Sequence, residues 1–245
     1  MIGNAPQGAL RSPVLGTLLG ALLGLAALGP LISQAAPSAA PEGPMEASRP
    51  WTSGPAVKAR FLDRLHTLEP LTGQFEQHVE DSYGQRFDQR AGRFALAPGL
   101  GLSWVTTSPF EEQLVLNKEG AWLWDPALWQ AFRRPLSALA GTPATLLVGL
   151  GEGWLEDYAV ETQKSVALER FRLLREAKTE IRPGAPARLE LAWIEGTLGL
   201  ISLEEGTGQR LILRLRALAP AALGPEAFAF EPPEGAEVID EGAAE

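Results

Sequence analysis

For nucleophilic, acid–base or metal chemistry this chain of 245 residues offers two histidines, His66 and His78, no cysteine, and a supply of carboxylates. Neither histidine has a second one three or four positions away, so no helical metal-binding pair exists, and both are expected at the surface. The absence of cysteine excludes thiol catalysis, disulfides, thiolate-bound zinc and a lipid anchor on an N-terminal cysteine. Glu111-Glu112 and Glu204-Glu205 fall at turns, where their charge keeps strand ends soluble. Gly99-Leu100-Gly101 and Gly149-Leu150-Gly151-Glu152-Gly153 imitate phosphate loops, but the second closes a helical segment instead of opening one after a strand. No catalytic residue, metal ligand or cofactor is therefore assigned, and a secreted hydrolase would lack both nucleophile and base. The distinctive chemistry is apolar. Gly73-Gln74-Phe75-Glu76-Gln77 leads, through several strands, into Trp122-Leu123-Trp124-Asp125-Pro126-Ala127-Leu128-Trp129-Gln130. Each buried ring withdraws roughly 150–250 Å² from water, so these aromatics line either a dense core or an apolar cavity.

The elements that must position them begin after an export segment. Arg11 precedes an apolar run from Val14 to Leu28, closed by Pro30 and the small-x-small site Ser33-Gln34-Ala35. Residues 1–35 are thus expected to be a signal peptide, too short and glycine-rich for a membrane anchor. Its removal takes the formal charge from −9 to −10, because Arg11 is its one charged residue. So acidic a chain argues against nucleic acid or an anionic membrane surface as partner. Cysteine-free export suggests the periplasm. Residues 36–56, rich in Pro, Ala, Ser and Gly, are expected to be a disordered leader that contains Trp51. Residues 57–240 make one domain, followed by an acidic tail at 241–245, with fraying from Val238 onward.

Val57, Phe61, Leu62, Leu65 and Leu68 recur at helical spacing. Strands are expected over Leu71–Glu80, Arg86–Leu96, Gly101–Thr106, Glu112–Asn117 and Ala121–Trp124, with a tight turn at Lys118-Glu119-Gly120. Arg133-Arg134-Pro135 is expected in a loop. A second helix is predicted over Pro143–Leu155, behind a Thr142 N-cap. Five further strands follow: Tyr158–Thr162, Ala167–Glu176, Arg188–Ile194, Thr197–Glu204 and Gln209–Leu218. Since alternate strand residues share a face, Phe94 with Leu96, Leu102 with Trp104, Leu114 with Leu116, and Trp122 with Trp124 are expected as successive rungs of one apolar surface. Trp193 fits an ordinary sheet core. The class is mainly β: a curved antiparallel sheet of ten or eleven strands whose helices cover its apolar concave face.

The order of Gly73-Gln74-Phe75-Glu76-Gln77, Gly92-Arg93-Phe94, Pro98, Trp104, Ser108-Pro109, Trp122-Leu123-Trp124-Asp125-Pro126 and Phe228-Ala229-Phe230-Glu231-Pro232-Pro233 resembles the LolA family of outer-membrane lipoprotein carriers. The resemblance implies an incomplete β-barrel with a helical lid: a monomeric, soluble periplasmic carrier, not an enzyme. Such a protein takes the acyl chains of lipoproteins from an inner-membrane LolCDE-type transporter and, in many bacteria, passes them to an outer-membrane LolB-type receptor. By this resemblance Phe75, Phe94, Trp104, Leu114, Leu116, Trp122 and Trp124 line the cavity, and Leu146, Leu147, Leu150 and Trp154 belong to the lid. A sensor module on the same fold, or a carrier of another amphiphile, is the alternative. Well-studied members hold the lid with the arginine of a Lys-Arg-Pro segment. Here the segment reads Leu96-Ala97-Pro98, so the latch is either absent or supplied from elsewhere, with Arg133 and Arg134 as candidates on sequence order.

Overall fold

The computed structural model describes residues 50–139, 142–150, 153–176 and 185–242. The expected signal peptide, residues 36–49 of the leader and the last three residues lie outside the described residues. Period-two alternation of apolar and polar side chains, interrupted by short turns, builds two antiparallel meanders. The first comprises β2 (Leu71–Glu80), β3 (Arg86–Ala97), β4 (Gly101–Ser108), β5 (Glu112–Asn117), β6 (Gly120–Asp125) and β7 (Gln130–Arg134). The second comprises β8 (Tyr158–Lys164), β9 (Leu168–Arg175), β10 (Arg188–Ile194), β11 (Thr197–Glu204) and β12 (Arg210–Pro220). β12 pairs with β2 and fuses them into a single sheet. Two short strands finish its edges, β1 (Thr52–Ser53) antiparallel on β8 and β13 (Glu237–Asp240) parallel on β7. Among the described residues the thirteen strands do not close: the order runs from β1 at one edge to β13 at the other. The chain between β7 and β8 therefore has to run from one edge of the sheet to the other.

Helix α1 (Pro55–His66) lies against the inner face of the second meander, where the Phe61 ring meets Phe171 at 5.3 Å and Phe171 meets Trp193 at 5.6 Å. Arg60 and Arg64 of α1 both donate to the buried Glu169 carboxylate of β9, Arg64 at 2.6 Å. Apolar side chains from both meanders, α1 and the β7–β8 connection form one continuous core. A smaller cluster of Ala97, Val115 and Phe228 lies apart from it. It is covered by the segment after β12, which Asn117 pins with a 2.9 Å hydrogen bond from Nδ2 to the Phe228 carbonyl.

The structure corrects five expectations. Ordered structure begins before Val57, since Trp51 lies beneath the Arg172 guanidinium at 4.1 Å and Thr52–Ser53 pairs with β8. Arg133 and Arg134 belong to β7 and not to a loop, and residues beyond Val238 are held by β13 instead of frayed. The second helix stops at Val148, because Gly149 adopts the left-handed conformation (φ 71°) and closes the helix with a 2.9 Å bond from the Leu150 amide to the Thr145 carbonyl. Finally, His78 is buried, and burial lowers its ring pKa, with Arg86 adding to the effect and Glu80 opposing it.

Candidate functional site: the covered inner face

Backbone pairing arranges the inner face of the first meander in rows. Leu96, Leu102, Leu116 and Ala121 are consecutive cross-strand partners, and so are Phe94, Trp104, Leu114, Leu123 and Phe132. Phe75, on β2, stacks on Trp104 with ring centres 3.9 Å apart, and Phe94 stacks on the same indole at 5.5 Å. Gly92 lies opposite Phe75. A Cβ there would come within 2.8 Å of the Phe75 ring, so only glycine lets that ring lie across β3 onto Trp104. Phe75, Phe94, Trp104, Leu114 and Leu116 are thus brought together on one buried surface.

Trp122 and Trp124 are not part of it. Asn117 pairs with Gly120, leaving Lys118-Glu119 as a two-residue turn, and such a turn opposes even-numbered residues to odd-numbered ones. Leu114 consequently faces Leu123, while Trp122 pairs with Val115 and Arg133. Both tryptophans point to the outer face. There Trp122 packs on Phe230 at 5.7 Å, and Trp124 meets Trp129 edge-on at 5.3 Å. Parity within single strands passes over this turn, although the turn itself is legible in the sequence. Ala121 and Leu123 are the apolar inner-face residues of β6.

The cover is α2 (Pro143–Val148), which lies over β3, β4 and β5. Thr142 caps its first turn by accepting from the Thr145 amide. Ala144, Leu146, Leu147 and Val148 are buried, and Leu150 packs half-buried at the edge of the same core. Trp154 falls in the 3-10 segment Gly153–Asp157, and its side chain lies outside what the structure describes. That segment is tied to α1 by Lys58, whose Nζ donates to the Leu155 carbonyl at 2.9 Å. The turn after Pro98 meets the cover directly: the Gly99 amide donates to the Val148 carbonyl at 2.7 Å. Neither candidate latch arginine points to the cover. Arg134 bonds Glu241, and Arg133 lies over Trp122 and 3.6 Å from Asp240.

At the far ends of the same strands the inner face turns polar. Arg90 donates to Glu112 at 2.9 Å and to Asp88 at 3.0 Å. Burial pushes the Glu112 carboxyl up to about 7; Arg90 opposes the shift, and Asp125 and Asp88 reinforce it. Glu112 is therefore no solvated turn residue, contrary to what its place beside Glu111 suggests. Asp125 is engaged by the amides of Ala127 and Leu128 in the β6–β7 turn. Among the described residues no group of three or more His, Cys, Asp or Glu side chains is arranged to hold a metal ion, and no helix is long and apolar enough to cross a membrane. A cleft of about 290 Å³ opens where β2 begins, with Leu68, Leu71, Trp193, Leu198 and Leu218 in its wall.

The family model for Outer membrane lipoprotein carrier protein LolA matches residues 66–231. The Outer-membrane lipoprotein carrier protein of Pseudomonas aeruginosa is 32% identical over 200 residues, which cover 80% of this chain and 94% of that protein. Its counterpart in Chromohalobacter salexigens is 29% identical over 185 residues, covering 75% and 86%. The crystal structure of a LolA superfamily protein from Nitrosomonas europaea aligns with a TM-score of 0.41 at 10% identity, over 73% of this chain and 98% of that one.

Proposed function

The chain belongs to the LolA family of outer-membrane lipoprotein carrier proteins, and from that premise we propose that it carries lipoproteins through the periplasm by burying their acyl chains against the inner face of the sheet. The observation that supports this most is the cover itself. A six-residue helix lies over an aromatic and aliphatic surface, on a connection that runs between the two unclosed edges of the sheet. Leu146, Leu147 and Val148 now fill the place that acyl chains would occupy. Exchange of one apolar contact for another breaks no covalent bond and needs no catalytic group. At about 0.8 kcal/mol per buried methylene, long chains bind amply, and release becomes the demanding step. A small cover that can return to its own contacts lowers that barrier.

In this scheme the chains arrive from an inner-membrane LolCDE-type transporter and leave for an outer-membrane LolB-type receptor. The inner-face residues that carry cargo are Phe75, Phe94, Trp104, Leu114 and Leu116, with Leu146, Leu147 and Leu150 on the cover. Trp122 and Trp124 have no part in it. The test is capture of a purified acylated lipoprotein by folded variants. Trp104→Glu, and Leu147→Glu at the margin of the core, are expected to abolish capture, whereas Trp122→Glu keeps it. Loss with Trp122→Glu alongside retention by both of the others would reverse the assignment of faces.

A further inference from the structure

Along the inner face of β2–β5 the chemistry changes steadily from one strand end to the other. Nearest the cover lie Leu96, Leu102 and Leu116; the aromatic row of Phe94, Trp104 and Leu114 follows, with Phe75 stacked on it; beyond come Gln77, Arg90, Thr106 and Glu112. This polar end is withdrawn from water. Gln77 is 1% exposed, Glu112 8%, and the Arg90 side chain 13%. Arg90 and Glu112 satisfy each other, but the Gln77 amide nitrogen is buried without a hydrogen-bond partner. Buried donors are nearly always paired, because an unpaired one forfeits its hydration for nothing in return. A side chain of this kind facing the end of an apolar surface invites an acceptor that arrives with a ligand.

Distance identifies that acceptor. From Gln77 to Leu71, the β2 residue paired with Leu96 at the covered end, the strand advances six residues, or about 20 Å at ~3.3 Å per residue. That is close to the extended length of a palmitoyl chain. We propose that the Gln77 amide donates to the carbonyl oxygen of the ester or amide that joins an acyl chain to its head group. The chain's methyl end then lies beneath α2, and its polar linkage lies beside the Arg90–Glu112 pair. The proposal rests on the inner face being an acyl-chain site. It adds to that site an orientation and a means of telling an acyl ester from a plain hydrocarbon with the same number of carbons.

The experiment compares methyl palmitate with heptadecane as displacers of a fluorescent apolar probe, N-phenyl-1-naphthylamine, from the wild-type protein and from Gln77→Leu. The wild type is expected to prefer the ester about five- to tenfold, as one buried hydrogen bond allows. Gln77→Leu should bind the two alike while holding heptadecane no more weakly than the wild type does. The variant replaces an unpaired amide with an apolar group of similar size, so its melting temperature should stay level or rise; Gln77→Met serves if it does not fold. An ester preference that survives in the variant, or one absent from the wild type, overturns the proposal. Failure of both ligands to displace the probe from wild type would overturn the acyl-chain site itself.

Discussion

Leu146 is the lid residue whose loss should show most clearly how the cover is held. Its side chain is almost wholly buried in a helix of only six residues, with Ala144 and Val148 beside it. Truncating a buried leucine to alanine costs about 2–5 kcal/mol, and a short segment that can settle into the gap belongs at the low end, about 2–3 kcal/mol. The cover's polar tie to the sheet, the Gly99–Val148 hydrogen bond, is worth only about 0.5–1.5 kcal/mol net. Apolar burial therefore holds the cover more strongly than the hydrogen bond does, and Leu146→Ala removes much of that burial. The same bond supplies the reporter. The Gly99 amide belongs to the β3–β4 turn, yet its acceptor lies on the cover, so the amide is freed whenever the cover lifts. In native-state hydrogen exchange, Leu146→Ala should speed exchange at Gly99 and at Leu150 by about thirty- to 160-fold, the exponential of that free energy. Amides in the middle of β3 and β4 should keep their wild-type rates. Parallel acceleration of the strand amides would show that the cover opens only with the whole domain. An unchanged Gly99 rate would show that Leu146 does not hold the cover down.

Two buried carboxylates and one outer-face ring give three further outcomes. Glu112 holds its proton up to about pH 7 in the fold against an ordinary value of 4.5. Between these values the native state carries a proton that the unfolded chain has lost, so this group's contribution to stability falls as pH rises through that window, by up to about 3 kcal/mol. In urea titrations the stability of wild type minus that of Glu112→Gln should decline from pH 4.5 to pH 7.5, and a flat difference would refute burial as the cause. Glu169 works in the opposite sense: burial alone would raise its carboxyl, but hydrogen bonds from Arg60 and Arg64 hold it below the ordinary 4.5. Its stabilisation is present above that value and lost as pH falls through the depressed one, so Glu169→Gln should melt below wild type at pH 7, with the two curves converging in acid. Phe228→Ala, which empties the outer cluster against Ala97 and Val115, should cost about 3–5 kcal/mol in stability and leave lipoprotein capture unchanged.

Strand and turn positions are readable because alternation of side chains is a property of the local backbone. Leu71–Glu80, Glu112–Asn117 and Thr197–Glu204 appear with the boundaries that their patterns suggest, and Phe94, Trp104 and Leu114 share the face expected of them. The cysteine-free composition and the motif order that points to the family likewise belong to the chain alone. Pairing is harder to read. β7 carries Arg133 and Arg134 and looks like a loop until it pairs with β6 on one side and with β13, about a hundred residues later in the chain, on the other. Glu112 reads as one of two turn carboxylates, and only the arrival of Arg90 from β3 makes its burial tolerable. Trp122 is the most misleading residue, since its parity matches Leu116 in number but not in space. Alternation states that two neighbouring side chains point to opposite sides of a strand. Which of those sides meets the core is decided by register, set at the turns and by distant strands, and so by tertiary structure.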